Sequence, residues 1–344
     1  MARRKASTPI QEFPLIRQLQ RRFERKSPSI LQGIGDDAAV VSILSGNWVV
    51  LTTDLLAEGI HFDLRTVALA SVGYRAAMAN LSDVAAMGAT PRFLLVSIAV
   101  PNTLQAADIT RLYRGLMKAC ENYGVRLIGG DTSASQQGLF LSITLLGTTT
   151  EGHALFRHGA KVGDSLYVTG TLGDSLAGLQ VLTKERKTAR QSRLRPAHRR
   201  FLVNRHLHPT ARVQEGLWLS RAGLATSAID LSDGLSGDLR HICEQSHMGA
   251  LVEVAQLPLS PACRAYAEEQ GIDPTTLALA GGEDYELLFT VAPSKEPSLK
   301  RQASARGFQI TKIGVIRSRL FGIQAVSTDR ATRPLPVTSY QHFQ

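Results

Sequence analysis

The stretch WVVLTTDLL (Trp48–Leu56) decides how the rest of the chain is read. Valine, leucine and threonine crowd it, so it predicts a β-strand, and its apolar run stops at an acid, Asp54. The same plan recurs. Asp131 ends LIGGD after an apolar run, and Asp230 and Asp233 flank Ser232 in IDLSDGL. Asp36 and Asp37 follow a glycine turn in GIGDDAAV (Gly33–Val40), and Glu283 and Asp284 follow paired glycines in GGEDYELLF. In open sheets that edge of the strands is where ligands bind. Further strands are expected in RFLLVSIAVP, LFLSITLLGTT, DSLYVTG, TSAIDLS, ALVEVA, YELLFTVA and FQITKIGVI.

Helical patterns alternate with these runs. VALASVGYRAAMANLSDVAAMG is long and alanine-rich, which predicts one buried helix, and LQAADITRLYRGLMKACENYG predicts an amphipathic one. The class is therefore α/β or α+β. The polar, glycine-bearing stretch TTTEGHALFRHGAKVGD separates two strand-rich halves, so domains of 1–150 and 151–344 are expected.

Composition narrows the function classes. The 344 residues are 44% hydrophobic. No apolar run approaches the roughly 18–20 residues of a membrane span. The basic N-terminus MARRKASTPIQEF has no apolar core of a secretory signal. Cys120, Cys243 and Cys263 form no CxxC pair, so neither a disulfide framework nor a zinc site is indicated, and a reducing cytoplasm fits. Net charge is +10, concentrated in Lys184–Arg200 and Arg17–Lys26. A nucleic-acid surface would interleave aromatic stacking platforms with such charge. Only Phe23 occurs in these runs, so they are read as solvated faces or a mobile loop and not as a nucleic-acid interface.

Many converging acids repel one another unless cations fill the space between them. Carboxylate and hydroxyl oxygens are hard ligands suited to Mg²⁺, and Thr52, Thr53 and Ser232 stand beside the acids. Phosphoryl transfer uses such an arrangement. Asp83 carries the most weight. Aspartate is a poor helix-interior residue, and its neighbours Ala79, Leu81, Ala85 and Met87 are apolar, so a buried carboxylate there needs a partner or a metal. Of the adjacent pair, only one acid can point into a shared site. The other caps the turn or faces outward. Other residues have plainer readings when taken singly. Asp233 could simply cap the helix that follows, His61 could be a core histidine, and Arg157 and Tyr340 could be surface residues. GTLGDSLAGL (Gly170–Leu179) reads as a glycine turn opening a helix, where an anion could sit.

Taken in order, GIGDDAAV, TTDLLAEGIHF, ANLSDVAAMGA, LIGGDTS, GAKVGDSLYVTGTLGDSLAGL, AIDLSDGLSGDL and GGEDYELLFT resemble the signature blocks of the thiamine-monophosphate kinase family, from Gly33 to Thr290. The resemblance implies that ATP phosphorylates thiamine monophosphate to thiamine diphosphate, with several Mg²⁺ ions per site. It implies the two-domain aminoimidazole ribonucleotide synthetase-like fold, with N-terminal sheets pairing across a homodimer and ATP bound in a cleft. By the same resemblance, Asp37, Thr52, Thr53, Asp54, Asp83, Asp131, Asp230 and Asp233 hold metal. Tyr113, Gly130, Arg157 and Ser232 contact ATP, and His61, Glu283 and Tyr340 contact thiamine monophosphate. No residue is expected as nucleophile or base. One departure stands out. The family's aromatic GWDHF or GYDHF end reads SYQHFQ here, with Ser339 and Gln341 replacing glycine and aspartate. No cysteine precedes Cys120, which argues against the related selenophosphate synthetases, and GGEDYELLF argues against the purine enzymes.

Overall fold

The computed structural model describes residues 12–23, 27–188, 193–326 and 331–340. The first sheet has the strand order β1 (Ile30–Gln32), β2 (Ala39–Leu44), β3 (Asn47–Ala57), β6 (Phe140–Thr150), β4 (Thr90–Pro101), β5 (Arg126–Ser135). Its pairings are antiparallel except β4 with β5, which are joined through α3 (Ala106–Glu121).

Helix α2 (Leu69–Ala86) packs on this sheet and is buried over most of its circumference, as its alanine content allows. It crosses α3 closely because glycines face backbone there. A Cβ on Gly73 would lie 2.1 Å from the Leu112 carbonyl oxygen, and one on Gly115 1.7 Å from that of Ala70. The other face of the sheet is uncovered. Leu55 (59% exposed), Phe93 (41%) and Leu95 (37%) stand on it.

The second sheet runs β13 (Thr332–Pro334), β12 (Ile323–Val326), β9 (Met248–Glu253), β11 (Ile310–Ser318), β7 (Ser165–Thr169), β10 (Leu287–Val291), β8 (Ala225–Asp230). Around it lie α4 (Asp174–Thr188), α5 (Pro196–Leu207), α6 (Val213–Arg221), α7 (Leu235–Ser246), α8 (Pro261–Gln270), α9 (Pro274–Ala280) and α10 (Glu296–Arg306). One core runs from Val50 and Ile143 of the first sheet, through Leu81 of α2 and Leu219 of α6, to Tyr167 and Phe289 of the second. A further helix, α1 (Glu12–Phe23), lies beside the glycine turn, where Gln20 donates to the Ile34 carbonyl over 2.6 Å.

Two expectations about the strands need correction. Asp54 does not end its strand, because β3 continues to Ala57, held by pairing with β6 as far as Phe140. Asp131 likewise sits inside β5, which runs beside β4 to Ser135. Backbone pairing with a long neighbour carries both strands past their acids. The basic stretch Lys184–Arg200 is divided between α4 and α5, with residues 189–192 outside the described part. Within it Arg199 pairs with Glu185 at 2.6 Å and Leu194 is buried.

Candidate active site

Four elements deliver carboxylates to one point. The turn before β2 brings Asp37, strand β3 brings Asp54, helix α2 brings Asp83 and the end of β8 brings Asp230. Oxygens of Asp37, Asp83 and Asp230 all lie within 4.8 Å of one another. Strand alternation turns Thr52 and Asp54 towards α2, where the Thr52 hydroxyl donates to Asp83 over 2.5 Å. Asp230 accepts from Ser82 Oγ at 2.6 Å.

The adjacent aspartates at the turn divide their tasks. Asp36 accepts from the Asp37 amide at 2.9 Å and from the Arg157 amide at 3.2 Å, so it holds the turn. Asp37 forms an ion pair with Arg157 through one oxygen. Its other oxygen, Oδ2, is buried and has no hydrogen-bond partner among the described residues.

The electrostatics follow from this crowding. Burial, then Asp37 and Asp233, pushes Asp54 up to about 6. Burial and the neighbouring acids Asp54, Asp230 and Asp37 push Asp83 well above the carboxylate range. Asp230 is raised well above it as well, by burial and then by Asp37. Arg157 opposes the rise at Asp37 without cancelling the effect of burial. Ionising all four acids together would therefore put more negative charge in the cluster than Arg157 compensates. An all-oxygen donor set with an orphaned buried carboxylate oxygen fits a hard divalent cation such as Mg²⁺.

A further acid belongs to this region although sequence reasoning missed it. Asp238, on α7, is 2% exposed. Its carboxylate accepts from the amides of Asp233 at 3.3 Å and Gly234 at 3.0 Å. Asp233 does not cap α7. That position falls to Gly234, whose φ of 114° excludes most side chains, and Asp238 reaches back from the first turn. The Asp233 carbonyl accepts from the Tyr340 amide at 3.1 Å, which docks the C-terminal segment on α7. Tyr340 is 48% exposed. Gln341 lies outside the described residues.

The glycine turn before α4 is not an open anion site. Its amides are already used by a carboxylate of the chain itself, because Gly173 and Ser175 donate to Asp284 at 2.5 and 3.0 Å. An internal anion satisfies the helix N-terminus.

Glu283 lies close to His61, whose Nδ1 accepts from the Ala57 amide at 3.0 Å. Glu283 is held by Arg75 of α2 and stands 3.5 Å from His206 Nδ1. The carbonyl of Ser232 accepts from the Glu283 amide at 2.8 Å, so the two loops are joined.

Four expected residues stand apart from the cluster. Thr53 lies on the uncovered face of the first sheet and donates to the Ile143 carbonyl. Asp131 is exposed on β5 in register with Ser97, and Ser97 pairs across β6 with Ser142, the neighbour of Leu55. Among the described residues no hydrogen bond or ion pair joins Asp131 to the other acids. Gly130 beside it needs to be glycine, since a Cβ would lie 1.8 Å from the Val96 carbonyl oxygen. Tyr113 is half-buried on α3.

Comparison with known proteins agrees with this geometry. Residues 35–149 match the family described as AIR synthase related protein, N-terminal domain, and residues 161–322 match its C-terminal domain. The thiamine-monophosphate kinase of Bacillus subtilis is 34% identical over 97% of this chain and 100% of its own length. That of Escherichia coli K12 is 38% identical over 96% and 98%. The solved complex of AaThiL with AMPPCP and TMP superposes with a TM-score of 0.84 at 33% identity, covering 98% of this chain and 100% of that one. Hydrogenase maturation protein HypE, 20% identical with a TM-score of 0.65, shares the fold. With near-complete coverage at these identities, the chain belongs to the thiamine-monophosphate kinase family.

Proposed function

We propose that the chain transfers the γ-phosphoryl group of ATP to the phosphate of thiamine monophosphate, releasing thiamine diphosphate and ADP. The observation that carries this reading is the set of three carboxylates within 4.8 Å, with one buried oxygen left unpaired. A relative of the same fold binds an ATP analogue and TMP.

Asp37, Asp54, Asp83 and Asp230, with Thr52, would hold Mg²⁺ at the cluster, with Asp233 beside it, and Thr53 and Asp131, which stand apart from the cluster, would hold metal at a separate position. When bound, Mg²⁺ neutralises charge that develops on the transferring phosphoryl group. Arg157 is placed between Asp36 and Asp37, where its guanidinium can turn to a nucleotide phosphate. Ser232, Gly130 and Tyr113 contribute to ATP binding. His61, Glu283 and Tyr340 receive thiamine monophosphate. Its phosphate oxygen is already anionic at neutral pH, so the attack is direct and in line and needs no protein nucleophile or base. The chain's tasks are to align two polyanions and to limit their repulsion.

Two further parts of this reading concern assembly. The halves 1–150 and 151–344 act as the two domains. The uncovered apolar face of the first sheet, with Leu55, Phe93 and Leu95, packs against a second copy to give a homodimer. Thr53 and Asp131 then lie at or near that junction. The reaction belongs in the cytoplasm, a setting that suits three buried, unbridged cysteines. No described helix is long and apolar enough to cross a membrane.

The direct test is incubation with Mg-ATP and thiamine monophosphate, with chromatographic detection of thiamine diphosphate. Thiamine, which lacks the attacking phosphate oxygen, should be a poor acceptor. No thiamine diphosphate from folded protein would remove the proposal.

A further inference from the structure

We propose that Arg75 is a positioning residue for substrate selection, holding the Glu283 carboxylate in the orientation that receives the cationic ring of thiamine monophosphate. This rests on the kinase reading above and goes beyond it to a residue outside the signature acids.

The geometry is asymmetric. Arg75 lies inside α2 with its side chain 3% exposed, while the Glu283 side chain is 30% exposed. The ion pair therefore has its positive end inside the protein and its negative end towards solvent. Among the described residues, the Arg75 Nε is buried without a hydrogen-bond partner. Burying a guanidinium is costly, and an apolar pair would generally serve stability as well. The residue is thus poorly explained by packing alone.

The loop that carries Glu283 is fixed on every other side. Glu283 and Tyr285 both have left-handed backbones, with φ of 60° and 52°. A Cβ on Gly282 would lie 2.5 Å from the Ser232 carbonyl oxygen, so the loop cannot slide against its neighbour. Asp284, one residue on, is anchored at the start of α4. With the backbone held, the free variable is the side-chain direction of Glu283, and Arg75 sets it. His206 flanks the second carboxylate oxygen and also faces Ser175 Oγ at 3.1 Å. Burial, then Arg75, lowers His206 to about 4, so it adds no second positive charge. Burial opposes ionisation of Glu283, yet Arg75 holds its carboxyl below the usual range.

The test is steady-state kinetics on the full chain, with melting temperatures, for R75M, R75Q, E283Q and R75M/E283Q. R75M and R75Q should raise KM for thiamine monophosphate about tenfold, with kcat and KM for ATP changed by less than about twofold. In the E283Q background R75M should add no further rise, because Arg75 acts through Glu283. If R75M does not fold, R75Q and the double variant, in which neither charge remains, carry the comparison. An unchanged KM in folded R75M or R75Q, or effects that multiply in the double variant, overturns the proposal. So does an unchanged KM in E283Q, which leaves the kinase reading intact. Absence of thiamine diphosphate from the wild type would instead remove the kinase reading itself.

Discussion

Ser82 donates its hydroxyl to the Asp230 carboxylate over 2.6 Å, joining the C-terminal part of α2 to the end of β8 across 148 positions of sequence. Both residues are buried, at 0% and 1% exposure. The bond fixes which way Asp230 presents its oxygens to Asp37 and Asp83. Removing the hydroxyl in S82A should cost about 1–3 kcal/mol of stability. It should also weaken Mg²⁺ binding about 10–100-fold, as loss of a bond that orients a metal-holding side chain does. Calorimetric titration of the nucleotide-free protein with Mg²⁺ measures this without turnover. Unchanged affinity would show that Ser82 only packs.

Asp83 is crowded by other acids, so its charge is a liability without metal and an asset with it. D83N keeps the shape and removes that charge. The metal-free variant should melt no lower than the wild type, and higher if repulsion dominates. Its kcat should fall by about 10²–10³, in line with loss of one preorganised electrostatic group. Near-normal turnover at saturating Mg²⁺ would contradict the metal-assisted account.

The raised acids also give a pH dependence of fixed sign. A carboxyl whose folded pKa lies above its unfolded value favours folding below the unfolded pKa, and that contribution is lost as pH rises through the folded pKa. Asp54 rises from 3.8 to about 6 and Asp36 from 3.8 to about 7, both chiefly by burial. In a chelator the melting temperature should therefore fall as pH rises across that window. Mg²⁺ should restore more stability above the window than within it. Differential scanning fluorimetry over pH, with and without chelator, checks this, and a metal effect independent of pH would count against it.

Glu286 is a structural hub of the second domain. Fully buried, it accepts from Arg205 at 2.9 Å, from two nitrogens of Arg212 at 2.6 Å and from Thr169 at 2.6 Å. E286Q leaves both guanidinium groups undercompensated and should cost about 3–5 kcal/mol by chemical denaturation. A loss below about 1 kcal/mol would mean that the arginines find water or other partners.

The dimer reading turns on Leu95, which stands on the uncovered sheet face beside Thr144 of β6. L95D puts a charge there without touching the buried core. It should shift the chain from dimer to monomer in sedimentation or light scattering. A wild type that is already monomeric at micromolar concentration would refute the interface.

Much of this protein is local information and was legible as such. The strand at Trp48 is set by β-branched and apolar residues, and α2 by a run of alanine and other good helix formers. The acids stand in recognisable blocks, and their excess charge implied a cation before any coordinates. What the sequence could not place were partners and directions. Which of the adjacent pair Asp36 and Asp37 holds the turn is visible only in which amides each carboxylate reaches, and it is Asp36. Asp54 and Asp131 are carried inside strands by the length of neighbouring strands. The capping role left open for Asp233 passes to Gly234 and Asp238, and the anion at the α4 turn is Asp284 of the same chain. Arg75 and Glu283 meet across 208 positions. Propensity and periodicity are free energies of near neighbours, so the sequence by itself determined the elements and their chemistry. The meeting of distant side chains depends on how two sheets share one core around α2, and only that packing decided where each charge is buried and what compensates it.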